Sequence, residues 1–213
     1  MSKPRILDPQ ASYTFGKYFE LNFDAEDIFA ELGCSYERLP LSLQPAAGPL
    51  PFVKDLHQRL ELASRLTNLT SEMARREAII APIMFAVCGQ ANQKLKIEYR
   101  VDVGNQLKGT LDYFIPSPHN LLVVEAKNAD LSRGFTQLGA EMIALDQWTR
   151  QDTPIIYGAV TTGDSWQFGQ FLRAERKILQ DTKLYAVPLE LETLVSILLG
   201  IIQPVGAIAQ SLC

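Results

Sequence analysis

The stretch that decides the fold is KGTLDYFI (108–115), followed by the turn sequence PSPHN (116–120) and by LLVVEAK (121–127). Both outer segments are short, apolar and bounded by turn-forming residues, which predicts two strands joined by a turn. A period of two places Glu125 and Lys127 on the same face of the second strand. If the strands pair antiparallel, Asp112 on the first strand lies beside Glu125 on the second.

Helical and strand patterns extend on both sides of this hairpin. Apolar spacings of three and four residues predict helices, and alternation with a period of two predicts strands. The predicted helices are 24–32, 52–66, 71–88, 131–148 and 191–202, and the further predicted strands are 95–101, 154–161, 166–172 and 183–188. Helices before, within and after a group of strands indicate an α/β or α+β fold, a mixed β-sheet flanked by helices.

A proline-rich segment divides the chain. Four prolines fall between residues 40 and 51, and each removes a backbone donor and restricts φ, so an irregular connector is predicted there. Residues 1–50 are therefore interpreted as an N-terminal helical and irregular extension with its connector. Residues 51–213 are interpreted as the main domain, and the two together as one compact unit.

Two neighbouring carboxylates in the predicted hairpin indicate a cation site. Burying the charge of Glu125 or Lys127 alone is costly, so each needs a partner or an ion. Asp112 and Glu125 side by side repel one another unless a positive charge lies between them. A hard divalent cation such as Mg²⁺, which prefers carboxylates and water, removes that conflict.

The helices on either side of the strands offer further polar side chains. Glu77 shares a helical stripe with Met73, Ile80 and Met84, so its carboxylate is predicted to face the sheet. Gln137 lies on the helix after the second strand, one position from the stripe, and Glu141 follows one turn later.

With these residues in place, the segment from Ser71 to about Thr161 resembles the PD-(D/E)XK nuclease superfamily, which has the restriction-endonuclease-like fold. The resemblance lies in the order helix, strand, strand, strand, helix, strand, in Asp112 and in the Glu125-Ala-Lys127 element. The match departs at Leu111, where the family motif has proline.

The resemblance implies a role for each residue. Asp112 and Glu125 would bind the divalent metal, Mg²⁺ or Mn²⁺, with Glu77 as a further acid from the preceding helix. Lys127 matches the lysine of the motif and would orient the attacking water or stabilise the oxyanion. Gln137 resembles the glutamine that supports the site in some branches. The implied activity is metal-dependent phosphodiester hydrolysis, endonuclease-like, on DNA or another nucleic acid.

Two other readings compete with a nuclease. A restriction-endonuclease-like domain with an inactive site would serve as an interaction or regulatory module, and the apolar stripe of 191–202, continued by Val205 and Ile208, would form a homodimer or partner interface. Hydrolysis of a nucleotide or other small phosphate compound fits an acidic protein, but the chain has no glycine-rich phosphate loop.

The net charge bears on the nucleic-acid partner. The chain carries 20 basic and 24 acidic side chains, for a net charge of −4, which argues against a broad non-specific DNA coat. Residues 51–100 alone carry 8 basic and 5 acidic groups. The sequence therefore predicts a local basic wall beside an acidic metal site, formed by Arg75, Arg76, Lys94, Lys96 and Arg100.

Cysteine and targeting signals point to a reducing compartment. Cys34, Cys88 and Cys213 are irregularly spaced and favour neither disulfides nor a thiolate metal site. The N-terminus leads into no apolar signal segment, and the longest apolar run is far shorter than a bilayer span of roughly 20 residues. A cytoplasmic location without membrane association is expected.

Overall fold

The computed structural model of the protein describes residues 5–118 and 120–203. The helices in this part of the chain are α1 (Phe15–Glu20), α2 (Ala25–Glu31), α3 (Phe52–Leu66), α4 (Glu72–Arg75), α5 (Ala81–Ala91), α6 (Leu131–Trp148) and α7 (Leu191–Ile202), with a π-helical turn, Arg76–Ile80, between α4 and α5. The strands are β1 (Ser35–Leu39), β2 (Lys96–Asp102), β3 (Lys108–Pro116), β4 (Leu121–Ala126), β5 (Ile155–Thr161), β6 (Ser165–Leu172), β7 (Lys177–Asp181) and β8 (Tyr185–Ala186).

The strands form one mixed sheet in the order β1-β7-β6-β5-β4-β3-β2, and β8 pairs with β6 outside this path. Strands β2, β3 and β4 are antiparallel neighbours, β5 runs parallel to β4, and β1 runs parallel to β7. Parallel neighbours need a crossover connection, and α6 supplies the one between β4 and β5. The predicted mixed sheet with flanking helices is confirmed.

Apolar packing on both faces explains why β4 is almost continuously hydrophobic. All six residues of β4 are buried. Leu121 and Val123 pack on the side of α1, α2 and α6, whereas Leu122, Val124 and Ala126 pack on the side of α3, α5 and α7. This alternation confirms the predicted faces, and it assigns Glu125 to the side of α6.

The helix predicted over 71–88 is interrupted by the π-helical turn. The amide of Ala81 donates to the carbonyl of Arg76, five residues back, and Pro82 follows in the first turn of α5. Pro82 has no amide to donate to the fourth residue before it, so a wider turn at this point loses no helical hydrogen bond. The extra residue changes which side chains before the turn face the sheet.

Three elements were not predicted. Strand β1 is a sheet-edge strand with exposed or half-buried side chains, so its sequence SYERL has little hydrophobic alternation. Strand β7, KILQD, is short and follows the polar turn at Arg173 to Arg176. Helix α1 has six residues, too few to show a helical period. The predicted strand 183–188 is reduced to the two residues of β8.

The N-terminal segment and the connector pack against the main domain. Strand β1 extends the sheet beside β7, and the Ala46 amide donates to the Ser196 carbonyl on α7 at 2.8 Å. The boundary at residue 50 remains a prediction. Within the described residues no helix is long and apolar enough to span a bilayer. Cys34 and Cys88 are buried free thiols, and Cys213 lies outside the described residues.

The apolar stripe of α7 is used inside the protein. Leu194, Leu198 and Ile202 are fully buried in the cluster formed with α3 and α5. This packing uses the surface on which the homodimer prediction rested, so the stripe no longer argues for a dimer. Val205 and Ile208 lie outside the described residues.

The close contact between α7 and the connector can be tested at Gly200. A Cβ added there would lie 2.0 Å from the carbonyl oxygen of Gln44, a backbone atom that cannot move freely. We expect Gly200→Ala to lower the free energy of unfolding by roughly 1–3 kcal/mol, the usual cost of overpacking. Urea denaturation measures the change. Gly89→Ala in α5 is the matched control, since a Cβ there meets nothing within 4 Å, and it should leave stability equal or higher.

Candidate functional site

The candidate site lies where β3 and β4 separate. Their ladder pairs Tyr113 with Val124, and the next position of the same register would pair Asp112 with Glu125. At that position the Asp112 side chain takes over from the backbone. Its Oδ2 accepts the amide hydrogen of Ala126 at 2.8 Å. The predicted proximity of Asp112 and Glu125 therefore arises from the end of the β3–β4 ladder.

Glu125 is buried and its carboxylate is held on one side only. Its Oε1 accepts from Lys127 Nζ and from Gln137 Nε2, the latter at 2.5 Å. Its Oε2 is buried without a hydrogen-bond partner among the described residues. Burial, followed by the charges of Glu141 and Asp112, raises the pKa of Glu125 well above its ordinary value, and Lys127 opposes that shift.

Lys127 lies between the sheet and the first helix. Its ammonium pairs with Glu125 and stands 5.3 Å from the centre of the Phe19 ring on α1. Burial would lower the pKa of Lys127, but the charge of Glu125 and its hydrogen bond raise it. Lys127 is therefore a cation at neutral pH. The predicted same-face pair of Glu125 and Lys127 is confirmed as a contact.

A glycine lets α6 approach this pair closely. A Cβ on Gly134 would lie 2.9 Å from Lys127 Cγ and 2.7 Å from a methyl group of Val160. Without that side chain, the helix comes near enough for Gln137, one turn later, to reach Glu125. Gln137 is buried, and the structure brings it, as expected from the sequence, into one cluster with Asp112, Glu125 and Lys127.

Glu141 is a member of the cluster that sequence reasoning did not assign. It lies four residues after Gln137 on α6, and its Oε1 accepts from Gln137 Nε2 at 2.9 Å. Its side chain is fully buried, and its Oε2 has no hydrogen-bond partner among the described residues. Burial raises the pKa of Glu141 from 4.5 to about 8. The spacing of four residues from Gln137 was the available signal.

Arg76 is a second unassigned member, and it holds Asp112. Its Nη1 lies 3.2 Å from Asp112 Oδ1, and its Nη2 lies 2.5 Å from the carboxylate of Glu98 on β2. The guanidinium also lies over the Tyr113 ring, 5.5 Å from its centre. Burial would lower the pKa of Arg76, but the hydrogen bond to Glu98 and the charge of Asp112 raise it.

The predicted position of Glu77 is wrong. Glu77 is exposed and lines a surface depression beside Asp55 and Arg59 of α3. Met73, on the same predicted stripe, is 62% exposed. The π-helical turn inserts one residue into the helical spacing, so the inward face comprises Ile79 and Ile80. The third acid near Asp112 and Glu125 is Glu141, which comes from the opposite side of the sheet.

Several side chains of the predicted basic wall are engaged in contacts within the protein. Arg75 donates to the carbonyl of Thr162 at 2.8 Å and pairs with Asp164, while Arg76 belongs to the cluster. Lys96 stands 4.2 Å from the centre of the Tyr99 ring. Lys94 and Arg100 are exposed, and Arg100 lies 3.8 Å from Asp102.

The cluster has some features of a metal site and lacks others. Among the described residues, no three His, Cys, Asp or Glu side chains are grouped as a ligand set for an ion. The buried cluster nevertheless contains unpartnered acceptor oxygens on Glu125, Gln137 and Glu141. Carboxylate and amide oxygens are ligands that hard divalent cations accept. The donor types therefore fit Mg²⁺ or Mn²⁺, although both oxygens of Asp112 already have partners in Ala126 and Arg76.

Comparison with protein-family models, with curated proteins and with solved structures finds no match for this chain.

The raised pKa of Glu141 makes stability depend on pH. The folded protein keeps a proton up to about pH 8, whereas the unfolded chain releases it near 4.5, so this group destabilises the fold as pH rises between those values. Glu141→Gln should therefore raise the free energy of unfolding at pH 8 by on the order of 1–3 kcal/mol. The gain should be several-fold smaller at pH 5.

Chemical denaturation at both pH values measures this effect. Glu175→Gln is the matched control, because Glu175 is exposed and should change little at either pH. An equal gain from Glu141→Gln at pH 5 and pH 8 would show that the folded protein does not retain this proton.

Proposed function

We propose that the protein is a divalent-metal-dependent phosphodiester hydrolase, endonuclease-like, that acts on DNA or another nucleic acid. One observation carries the proposal: Asp112, Glu125 and Lys127 converge where β3 and β4 separate, and one oxygen of the buried Glu125 has no partner among the described residues. Two acids and a lysine at the point where two neighbouring strands separate suit the hydrolysis of a phosphodiester.

We also infer that the central strands form a restriction-endonuclease-like core. Helix α5, the antiparallel strands β2, β3 and β4, helix α6 and strand β5 follow the expected order. Strand β5 lies parallel to β4, and α6 crosses between them beside the Glu125 carboxylate. This arrangement supports the assignment of Asp112 and of the Glu125-Ala-Lys127 element to the PD-(D/E)XK motif.

Each side chain of the cluster has a separate chemical task in the proposed reaction. Mg²⁺ or Mn²⁺, when bound, would supply Lewis-acid polarisation of the phosphate and of the attacking water. Asp112 and Glu125 would hold the ion, and Gln137 fixes the orientation of Glu125 through its 2.5 Å hydrogen bond. Lys127 is positioned to orient water or to stabilise negative charge on the phosphate. Glu141 would replace Glu77 as the acid nearest the ligands.

Three side chains of the cluster keep a small exposed fraction. The side chains of Asp112, Lys127 and Arg76 are 14%, 12% and 14% exposed, whereas the Glu125 side chain is 3% exposed. The partly exposed groups therefore include two cations, Lys127 and Arg76, that a phosphate backbone could contact. Glu125 and Glu141 lie behind them.

One observation favours the alternative, a module with an inactive site. Arg76 already neutralises Asp112 at 3.2 Å, and no three-ligand group is assembled among the residues that the structure describes. A domain that has lost catalysis would retain such internal ion pairs for stability. An assay for metal-dependent cleavage distinguishes the two candidates, because only the nuclease would show it.

A cleavage assay tests the proposal directly. Mg²⁺ or Mn²⁺ should support cleavage of linear, branched or single-stranded DNA or RNA. Glu125→Gln and Lys127→Met should each lower the rate by about 10² or more, since each removes a charge that acts on the reacting phosphate or its metal. Gel analysis of end-labelled substrates measures the rates.

Glu77→Gln is the matched control for this assay. The Glu77 carboxylate is exposed and outside the cluster, so the cleavage rate of Glu77→Gln should stay within about twofold of that of the unchanged protein. Thermal denaturation of each variant separates loss of folding from loss of chemistry. Cleavage that persists in both Glu125→Gln and Lys127→Met would contradict the proposed site.

Metal binding should strengthen as pH rises. The Glu125 and Glu141 pair holds a proton at neutral pH, because burial raises the pKa of both carboxyl groups and the charge of Glu141 raises that of Glu125 further. A cation at Glu125 must displace that proton, so its dissociation constant should fall by up to about tenfold per pH unit between pH 6 and 8. Calorimetric titration with Mn²⁺ in buffers of different ionisation enthalpy measures both the affinity and the proton released. A pH-independent affinity would contradict this coupling.

A further inference from the structure

We propose that Arg76 is a built-in counter-ion of Asp112 that competes with the divalent cation, and that it becomes a phosphate-binding group once the cation takes Asp112. This inference rests on the proposed function. It assigns Arg76 a place within the site itself, whereas the charge pattern of the sequence predicted only a basic wall beside the site.

Arg76 contacts two carboxylates, and only one of them, Asp112, is also an expected metal ligand. Glu98, on the neighbouring strand β2, lies 2.5 Å from Nη2, and Asp112 Oδ1 lies 3.2 Å from Nη1. Asp112 is also an expected metal ligand, whereas Glu98 is 55% exposed and lies outside the buried acids. Two cations cannot share one Asp112 oxygen without strong repulsion. A metal ion at Asp112 therefore requires the guanidinium to move away from Oδ1.

The surroundings of Arg76 would hold it nearby after that movement. Glu98 keeps its hydrogen bond, and the Tyr113 ring supports the guanidinium from one side. The Arg76 Nε is buried without a hydrogen-bond partner among the described residues, so a guanidinium that moves away from Asp112 would carry Nε and Nη1 as donors without a carboxylate partner. A guanidinium with free donors matches the paired oxygens of a phosphate.

The backbone of β2 is strained at the residue that anchors Arg76. Glu98 has φ of +51°, a left-handed conformation that non-glycine residues rarely adopt. It lies opposite Asp112, between the ladder pairs Ile97–Tyr113 and Tyr99–Leu111. This conformation places the Glu98 carboxylate against Arg76 in the middle of an otherwise regular ladder. The π-helical turn, a local irregularity of the same kind, begins at Arg76.

Binding of Mn²⁺ without any substrate tests the competition. Arg76→Met keeps an unbranched side chain beside Tyr113 but removes the positive charge, and it should tighten Mn²⁺ binding by about tenfold, because the competing cation is gone. Arg76→Ala provides a second variant if the first does not fold. Arg75→Ala is the matched control, since Arg75 pairs with Asp164 and not with Asp112, and it should leave the affinity unchanged.

Cleavage at saturating Mn²⁺ tests the second half of the proposal. Arg76→Met should raise KM for the nucleic acid several-fold, because the phosphate loses a guanidinium contact, although the metal is bound more tightly. If Arg76 had a purely structural role, Arg76→Met would lower stability, but it would not tighten Mn²⁺ binding while raising KM.

The outcomes distinguish the inference from the proposed function. If the unchanged protein binds Mn²⁺ and cleaves, but Arg76→Met binds Mn²⁺ equally or more weakly, the counter-ion role is overturned and the nuclease stands. If Mn²⁺ binds only to Arg76→Met, the counter-ion role is supported and the unchanged protein is an inactive module. If neither protein binds Mn²⁺, both proposals are overturned.

Discussion

The buried charge of Glu125 is the constraint on which the rest of the site depends. Glu125 is the penultimate residue of a strand that is covered on both faces, where an ionised carboxylate without partners would be strongly destabilising. The fold supplies those partners from two directions: Lys127 comes from the same strand, and Gln137 comes from the crossover helix. The close approach of α6 at Gly134 and the position of Phe19 above Lys127 both serve this arrangement.

Asp112 and Glu125 each carry a negative charge with little access to water, and a different part of the fold neutralises each one. Glu125 is neutralised by Lys127 on the side of α6, and Asp112 is neutralised by Arg76, which comes from the helices on the other side. Each carboxylate therefore carries its own cation, and Glu141 adds a third acid that retains a proton. A divalent ion bound as proposed would therefore have to displace one proton and one guanidinium.

The accuracy of the sequence predictions follows the strength of the local signal. The bounds of α6 and α7 agree with their predicted ranges, because each has an uninterrupted apolar stripe over three or more turns. Strands β3 and β4 were found through a turn-forming connection and strongly apolar runs. The edge strand β1 was missed because half-exposed strands need no hydrophobic alternation, and β7 because it is short and directly follows a polar turn.

The sequence by itself determined the mixed sheet, the shared face of Glu125 and Lys127, and the proximity of Asp112, because strand period and turn position depend on neighbouring residues. Only the tertiary structure decided which distant groups complete the cluster. Arg76 is brought to Asp112 by a π-helical turn that also turns Glu77 to the surface, and no periodic pattern predicts that extra residue. Glu141 joins because Gly134 lets α6 approach the sheet, a packing contact that depends on residues far apart in the chain.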